Sequence, residues 1–489
     1  MKAKLSKKDD QFRDLALNGN MGRLMMQVCL PLTLYQCLNT IFRMFDTMLA
    51  ARISSSAVTT VAYLSQISTM LSAVGAGLAV GAGIKISEAF GAGKYELVKK
   101  RVSTVFAICA LVCGAILLVF VPFAPSLLKL FGTPDRLIAQ GSTYFIIELF
   151  GMVVTFFNNV YISIERSRGN SNRIFRLNIA VAITKLTLSM CFVYGWEPMG
   201  FGEPTISLLS VASLCANSII LIAAIILMRQ KDNLFGFSIH AISFTREVIG
   251  PVITVSFPVI VEKFAFTYGR VLVNSMCTDE SLEYHPDTVG ATSISNQISG
   301  MTTTPQNGFQ EGGSAIISQN LGAGKPERVI SAFKWMFGLS VGISFCTMIL
   351  SLLVLKPLSL FLAAGNAEFS AMISTIYHYE AIAVIPLAIN SVVHGLLYGL
   401  GKTKYTLIMN FCRIIVFRVP VLFCLHHFTV MGQVDGPNTI GLCLALSNLM
   451  SGALALAFAI KELRALCKKN RLSFWKKTDA SADKGTEVG

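Results

Sequence analysis

Charged side chains are scarce in this chain. Of its 489 residues, 14% are Asp, Glu, Lys or Arg, whereas 53% are hydrophobic. Soluble domains carry roughly 25% charged residues, so a soluble enzyme is excluded. The apolar residues gather in runs such as 21–51 and 102–124, and a bilayer span needs about 20 of them. Because backbone polar groups find no water in lipid, these runs are predicted to be helices.

The sequence also lacks motifs for cofactor or metal chemistry. Its twelve cysteines form no CxxC pair and no metal-like Cys/His cluster, and nearly all lie inside apolar runs as small fillers. The segment 91–94, Gly-Ala-Gly-Lys, lacks the spacing and the preceding strand of a phosphate-binding loop, so it is interpreted as a helix end and a turn. We therefore predict no cofactor, no metal site and no enzymatic activity.

Positive charge is distributed unevenly between the loops. Twelve spans are predicted, with both termini in the cytoplasm. On that topology 30 Lys and Arg lie in the tails, internal loops and adjoining helix ends, and four lie in the external loops: Arg52, Lys129, Arg136 and Lys356. An excess of Lys and Arg marks cytoplasmic segments. The net charge of +14 therefore reflects topology, and no nucleic-acid partner is predicted.

The two halves of the chain repeat one another. The segment 86–94, Ile-Ser-Glu-Ala-Phe-Gly-Ala-Gly-Lys, returns at 317–325 as Ile-Ser-Gln-Asn-Leu-Gly-Ala-Gly-Lys, an offset of 231 residues. Further pairs follow at offsets of 227 to 232: Pro31 and Pro258, Arg43 and Arg270, Gly169 and Gly401, Asn178 and Asn410. Six helices is an even number, so the halves share one orientation. Parallel repeats of this kind occur in transporters whose site lies at the repeat interface.

These observations predict an all-α membrane protein with twelve transmembrane helices in two pseudo-symmetric six-helix bundles. The predicted parts are a cytoplasmic N-tail at 1–23, an N-lobe of helices 1–6 at 24–228, a cytoplasmic linker at 229–246, a C-lobe of helices 7–12 at 247–460 and a basic cytoplasmic C-tail at 461–489. The lipid bilayer is the one partner that composition itself implies.

The ordered motifs resemble those of the MATE (multidrug and toxic compound extrusion) transporters, of the bacterial type with Asp-Thr in the first helix. They are Pro31, Asp46-Thr47, Gly77–Ala82, Ile86-Ser87 and Gly91–Gly93, followed by Pro305, Gly308, Gly312 and Asn320–Gly324. The resemblance covers residues 24–460. It implies a central cavity between the lobes, alternating access, and export of a drug, toxin or metabolite against influx of H+ or Na+. It also implies a monomer in the bacterial cytoplasmic (inner) membrane.

The coupling carboxylate of that family branch falls on Asp46, but its usual neighbours are changed. Arg43 stands where the family often has Asn, and the Asn and Asp positions of the fifth helix fall on Lys185 and Ser189. Two interpretations stay open. Asp46 forms a buried salt bridge with Arg43 or Lys185 that fastens the lobe, or Lys185 takes the place of a coupling cation. Beside two cations, Asp46 should stay ionised and bind Na+ poorly.

The seventh helix carries further intramembrane charges. The Glu that another family branch has eight residues after this helix's Pro falls on Phe266, so Glu262 is interpreted as a partner of Lys263 or Arg270. The acidic position of that branch in the tenth helix falls near Asn390. The predicted coupling and substrate residues are therefore Gln36, Arg43, Asp46, Lys185, Ser189, Glu262, Lys263, Arg270 and Asn390.

Cationic side chains outnumber acidic ones inside the predicted spans. The cations are Arg43, Lys85, Lys185, Lys263, Arg270, Arg413 and Arg418, and the acids are Asp46, Glu148, Glu262, Glu311 and Glu380. Because cations bind carboxylates and phosphates through charge-assisted hydrogen bonds, we hypothesise a neutral, zwitterionic or anionic substrate. A flippase for a lipid-linked precursor and an exporter of an anionic metabolite are the alternatives. A membrane enzyme or receptor is disfavoured, since no His/Asp/Glu cluster falls at a helix end.

Overall fold

The computed structural model describes the backbone of residues 5–53, 55–126, 135–194, 206–230, 233–277, 288–363, 365–430 and 435–472. Inside these ranges, the side chains of residues 43–67, 69, 135–141, 206, 270–277, 289 and 430 lie outside the description.

One short helix, α1 (Lys7–Asn18), precedes twelve long ones in the described chain. The first half holds α2 (Met21–Ile53), α3 (Ser55–Gly91), α4 (Tyr95–Phe120), α5 (Asp135–Ser167), α6 (Ser171–Tyr194) and α7 (Ile206–Met228). The second half holds α8 (Arg246–Cys277), α9 (Thr288–Gly322), α10 (Pro326–Leu362), α11 (Ala367–Gly399), α12 and α13 (Gly436–Asn470). Helix α12 has two α-helical segments, Thr403–Phe411 and Val419–Val430, around a π-helical segment, Cys412–Arg418. The predicted all-α fold with twelve membrane-spanning helices is confirmed.

Helix α9 is unusually polar for a membrane span. The other eleven long helices have a sufficiently apolar window within the described residues, whereas α9 is rich in Ser, Thr, Asn and Gln. Its side chains bond to neighbouring helices. Ser295 Oγ donates to Glu380 Oε2 on α11 at 2.9 Å, and Gln306 Nε2 donates to Ser344 Oγ on α10 at 2.9 Å. A polar helix is stable here because its hydrogen-bonding groups face protein rather than lipid.

The sequence repeat is also a structural repeat. Gly93 and Gly324 have φ of 72° and 70°, and Gly169 and Gly401 have 74° and 70°. In all four turns the amide of the following residue donates to a carbonyl five residues back, at 2.7–3.0 Å. This is the hydrogen bond of a glycine-terminated helix, for which a positive φ is needed. The interpretation of segment 91–94 as a helix end and a turn is confirmed.

Glycines let the two halves approach closely. We call α2–α7 the N-lobe and α8–α13 the C-lobe. A Cβ on Gly77 of α3 would lie 2.5 Å from Ile260 Cγ1 on α8, and a Cβ on Gly308 of α9 would lie 2.5 Å from Thr33 N on α2. Gly77 and Gly308 are repeat partners, and so are Thr33 and Ile260. The interface between the lobes is therefore itself pseudo-symmetric, and its glycines permit backbone contact.

The lobes also meet where α3 and α9 end. A Cβ on Gly91 would clash with the carbonyl oxygen of Gln319, and a Cβ on Gly322 would clash with that of Glu88. Gln319 Nε2 donates to Ser167 O on α5 at 2.5 Å. We call this end of the bundle, which also carries α1, the base. The lobes are in contact at the base.

Both terminal segments contain more helix than the predicted tails. Ser6 caps α1 by accepting from Asp9 N at 3.2 Å, and the buried Asp9 carboxylate pairs with Arg168 Nε of the N-lobe at 2.9 Å. On the C-lobe side, Arg328 Nη2 donates to Ala16 O of α1 at 3.1 Å. At the other end of the chain, α13 continues to Asn470, beyond the predicted lobe boundary at 460. Helix α1 therefore lies across the base and contacts both lobes.

Candidate functional site

A cavity of about 680 Å³ lies between the lobes. Helices α2 and α3 of the N-lobe and α8, α9, α11 and α12 of the C-lobe form its walls. Four of the residues predicted from the sequence line it: Gln36, Glu262, Lys263 and Asn390. The structure therefore places side chains from α2, α8 and α11, which are far apart in sequence, around one space.

Glu262 is the most extensively hydrogen-bonded group in this wall. Its side chain is buried, and its carboxylate accepts from Tyr398 Oη at 2.9 Å, from Thr406 Oγ1 at 2.5 Å and from Asn410 Nδ2 at 2.8 Å. The donors come from α11 and α12, so a single carboxylate on α8 ties three helices together. A carboxylate buried in a membrane protein is stable only when donors of this kind replace water.

His394 lies beside this carboxylate. Its Nδ1 is 2.8 Å from Asn390 O, and because a carbonyl oxygen only accepts, Nδ1 carries the hydrogen. Nε2 is then the acceptor of the neutral ring, 3.3 Å from Asn410 Nδ2 and 3.7 Å from Glu262 Oε1. Asn390 is held in turn by its own bond from Nδ2 to Ser451 Oγ at 2.6 Å. Glu262 Oε1 and His394 Nε2 are thus neighbouring acceptors, and both lie within hydrogen-bond distance of Asn410 Nδ2.

An ion pair joins the lobes at the side of the cavity nearer the base. Arg166 Nη2 of α5 lies 2.7 Å from Glu311 Oε2 of α9, and Gln36 Nε2 donates to Glu311 Oε1 at 3.4 Å. A smaller cavity of about 90 Å³ is lined by these three residues and by Lys263. Glu311 therefore connects α9 of the C-lobe to α2 and α5 of the N-lobe.

Two cationic side chains share the C-lobe wall. Lys263 is half-buried and lines both cavities. Arg413 lies in the π-helical segment of α12, and its guanidinium carbon is 5.4 Å from the centre of the Phe266 ring. Arg413 Nε donates to Asn448 Oδ1 at 3.0 Å, which fixes the guanidinium orientation. π-Helical turns often occur at functional sites, where they change the direction of side chains.

Several predicted residues lie elsewhere or outside the description. The side chains of Arg43, Asp46 and Arg270 fall outside the described residues, and with them any ion pair they form. Lys185 is half-buried on α6 and is not a lining residue of the cavity described above. Ser189 is fully buried on α6, and its hydroxyl has no hydrogen-bond partner in the described part of the chain.

Glu262 was interpreted as a partner of Lys263 or Arg270. For Lys263 this interpretation is wrong. Adjacent residues on a helix point in different directions, whereas residues three or four apart share a face. Glu262 therefore turns toward α11 and α12, where Tyr398, Thr406 and Asn410 donate to it, while Lys263 faces the cavity.

The donors to Glu262 were not predicted from the sequence. His394 and Tyr398 follow the predicted Asn390 at four-residue spacing on α11, which places three polar groups on one face of a buried helix. That spacing is the signal that points to His394 and Tyr398. Asn410 appeared as a repeat partner of Asn178, but no role was inferred for it. Arg166 is not among the residues predicted for the site, and it lies in the last turn of α5, which ends at Ser167.

Comparison with known proteins defines the class. The MatE family model matches residues 31–191 and 258–424, well over half of the chain. The chain therefore belongs to the MATE family, whose members are transporters and not enzymes. It is an integral membrane protein.

Individual relatives are distant but cover most of the chain. It is 21% identical over 419 residues to the probable multidrug resistance protein YoeA of Bacillus subtilis, covering 83% of this chain and 87% of the relative. Identity to the probable multidrug resistance protein NorM of Thermotoga maritima is 21% over 413 residues, covering 83% and 86%. A solved structure described as the outward-facing conformation of a multidrug resistance MATE family transporter superposes with a TM-score of 0.85 at 17% identity, covering 95% of this chain and all of that one.

Proposed function

We propose that this transporter exports amphipathic small molecules by alternating access in exchange for protons, and that Glu262 binds the coupling proton. The observation that carries this proposal is the Glu262 cluster, a buried carboxylate in the cavity wall with His394 at 3.7 Å. Intramembrane ionisable groups of this kind mark ion and proton pathways. The relatives named as multidrug resistance proteins support export of drug-like molecules.

The hydrogen bonds at Glu262 favour a proton over Na+. A sodium ion needs oxygen lone pairs directed at it, whereas the Glu262 oxygens already accept from Tyr398, Thr406 and Asn410. A proton needs only one carboxylate oxygen, which it reaches by displacing one donor.

Protonation of Glu262 gives a physical route to a conformational change. The neutral acid loses the strength of its charge-assisted hydrogen bonds to α11 and α12. Helix α8 is then held less tightly to those helices, and the cavity wall that Glu262 shares with Lys263 and Asn390 changes shape. Because bound proton and bound substrate favour different arrangements of this wall, entry of one drives release of the other.

The charge distribution supports one orientation and one location. The turns at the base carry Lys94, Lys325 and Lys402, so we place the base in the cytoplasm by the excess of positive charge there. The contact between the lobes at the base then corresponds to a conformation closed on the cytoplasmic side.

We further propose that the protein works as a monomer in the bacterial inner membrane, since one chain supplies both lobes of the cavity.

We propose Asp46 as a second coupling group, because the coupling carboxylate of the resembling family branch falls on this residue. It belongs to the N-lobe, so coupling at Asp46 and coupling at Glu262 are separable by substitution. Asp46→Asn and Glu262→Gln each remove one carboxylate with little change in shape.

Proteoliposomes with an acidic lumen, or with a Na+-loaded lumen at equal pH, test the proposal. Uptake of a xanthene dye should follow the proton gradient and fall at least tenfold in Glu262→Gln. Glu380→Gln is the matched control, because Glu380 is also buried in the C-lobe but does not line the cavity. Uptake driven by Na+ alone, or full proton-driven uptake by Glu262→Gln, would show that Glu262 does not bind the coupling proton.

A further inference from the structure

We propose that the exported substrate is an amphipathic anion, whose carboxylate, sulfonate or phosphate group is bound by Lys263 and Arg413 beside the Phe266 ring. This inference rests on the proposed export function and specifies its substrate class. Its basis is the side-chain chemistry on the C-lobe wall of the cavity.

Lys263 is the first component. Its ammonium faces the cavity between the lobes and forms no hydrogen bond or ion pair with any side chain that the structure describes. An ammonium carries three donors, and a half-buried position gives it fewer water partners than the surface does. A negatively charged group in the cavity supplies the acceptors that this ammonium lacks.

Arg413 is the second component, and it is held in position. Its Nε donates to Asn448 Oδ1, and Arg418 Nη2 donates to the same oxygen at 3.2 Å. The guanidinium lies over Phe266, three residues and nearly one helical turn after Lys263 on α8. Phe266 and Lys263 therefore share a face, and Arg413 adds its charge to that face. A guanidinium fixed in this way binds planar oxyanions without first being ordered.

The carboxylates of the same cavity already have ion-pair or hydrogen-bond partners. Glu311 is paired with Arg166 at 2.7 Å, and the oxygens of Glu262 accept from three donors. An organic cation entering the described cavity would meet two carboxylates that already have partners, and the Lys263 ammonium beside them would repel it. An anion would meet charge-assisted donors instead, which are about twice as strong as neutral ones.

Apolar groups complete the site and account for the amphipathic requirement. Ala73 and Ala76 of α3, Phe266 of α8 and Leu387 of α11 line the cavity together with the polar side chains. A rigid ring system contacts these groups while its anionic substituent reaches Lys263 and Arg413. The wall contains both apolar and cationic side chains, so the substrate that fits it has an apolar body and one negative group.

Two dyes of one framework and opposite charge test the assignment. Sulforhodamine B is an anion and rhodamine 6G is a cation, and both have a xanthene ring system. In acid-loaded proteoliposomes the wild-type protein should take up sulforhodamine B at least tenfold faster than rhodamine 6G. Lys263→Met and Arg413→Gln should each lower sulforhodamine B uptake at least tenfold. Lys334→Met, which removes an exposed base-side lysine outside the cavity, should leave it unchanged.

If the uncharged variants are unstable, variants that reverse or keep the charge at residue 263 still test the anion site. Lys263→Glu should reverse the preference, so that rhodamine 6G becomes the better substrate, and Lys263→Arg should retain the wild-type preference. Faster wild-type uptake of rhodamine 6G, unaffected by Lys263→Met, would overturn the anion site while leaving proton-driven export intact. Uptake of neither dye under either gradient would overturn the proposed function and this inference together.

Discussion

The ion pair between Arg166 and Glu311 gives the sharpest prediction about conformation. It joins α5 of the N-lobe to α9 of the C-lobe near the base, so it can form only while the lobes are together there. Replacing Glu311 with Gln removes the charge and keeps the approximate shape. We expect this change to destabilise the base-closed conformation relative to one in which the lobes separate at the base.

The magnitude follows from the geometry. Arg166 and Glu311 are 12% and 29% exposed, and their closest atoms are 2.7 Å apart. Hydrogen bonds to charged groups contribute about 1.5–3 kcal/mol, and partial exposure places this pair near the lower value. About 1.4 kcal/mol corresponds to a factor of ten in an equilibrium constant. Glu311→Gln should therefore raise the population open at the base roughly tenfold.

Double electron–electron resonance between the lobes measures that population. Spin labels on Lys100→Cys and Lys334→Cys, in a background free of native cysteines, report the separation of α4 and α10 at the base. Glu327→Gln, which alters an exposed carboxylate at the start of α10, serves as the matched control. An unchanged distance distribution in Glu311→Gln, or the same change in Glu327→Gln, would refute the reasoning.

Two further predictions concern the packing of the lobes and of α1. Gly308→Val forces a side chain against Thr33 of α2 and should lower stability by about 1–3 kcal/mol, measured by thermal unfolding in detergent. Gly338→Val, at a site with open space within 4 Å, should not, and equal losses would contradict the packing argument. Asp9→Asn removes the charge that pairs with Arg168 and should expose α1 to trypsin at Arg13. Unchanged cleavage would show that α1 is not held by this pair.

Much of the fold could be predicted from the sequence, because its strongest signals extend over the whole chain and do not depend on any single residue. The repeat at an offset of 231 residues identified α9 as the counterpart of α3, which hydropathy alone does not reveal. Helix α1 was not predicted, because a short charged segment has no helical signal strong enough without tertiary contacts. Its position depends on Arg168, Lys325 and Arg328, which lie more than 150 residues away.

The sequence predicted which residues line the cavity better than it predicted which side chains pair with one another. Gln36, Glu262, Lys263 and Asn390 line the cavity as expected of cavity residues, but the partner of Glu262 depends on how α8 is rotated against α11 and α12. Rotation about a helix axis is set by packing that a single sequence does not encode locally. For the same reason, Arg166 next to a turn gave no sign that it reaches Glu311 in the other lobe.

Proton movement driven by the substrate tests the central claim most directly. Proteoliposomes containing the pH indicator pyranine, with no imposed gradient, should show alkalinisation of the lumen when sulforhodamine B is added outside, because each dye molecule that enters is exchanged for protons that leave. The signal should be absent in Glu262→Gln, present in Glu380→Gln and independent of Na+. Dye entry without a pH change, or a pH change of wild-type size in Glu262→Gln, would contradict proton-coupled export through Glu262.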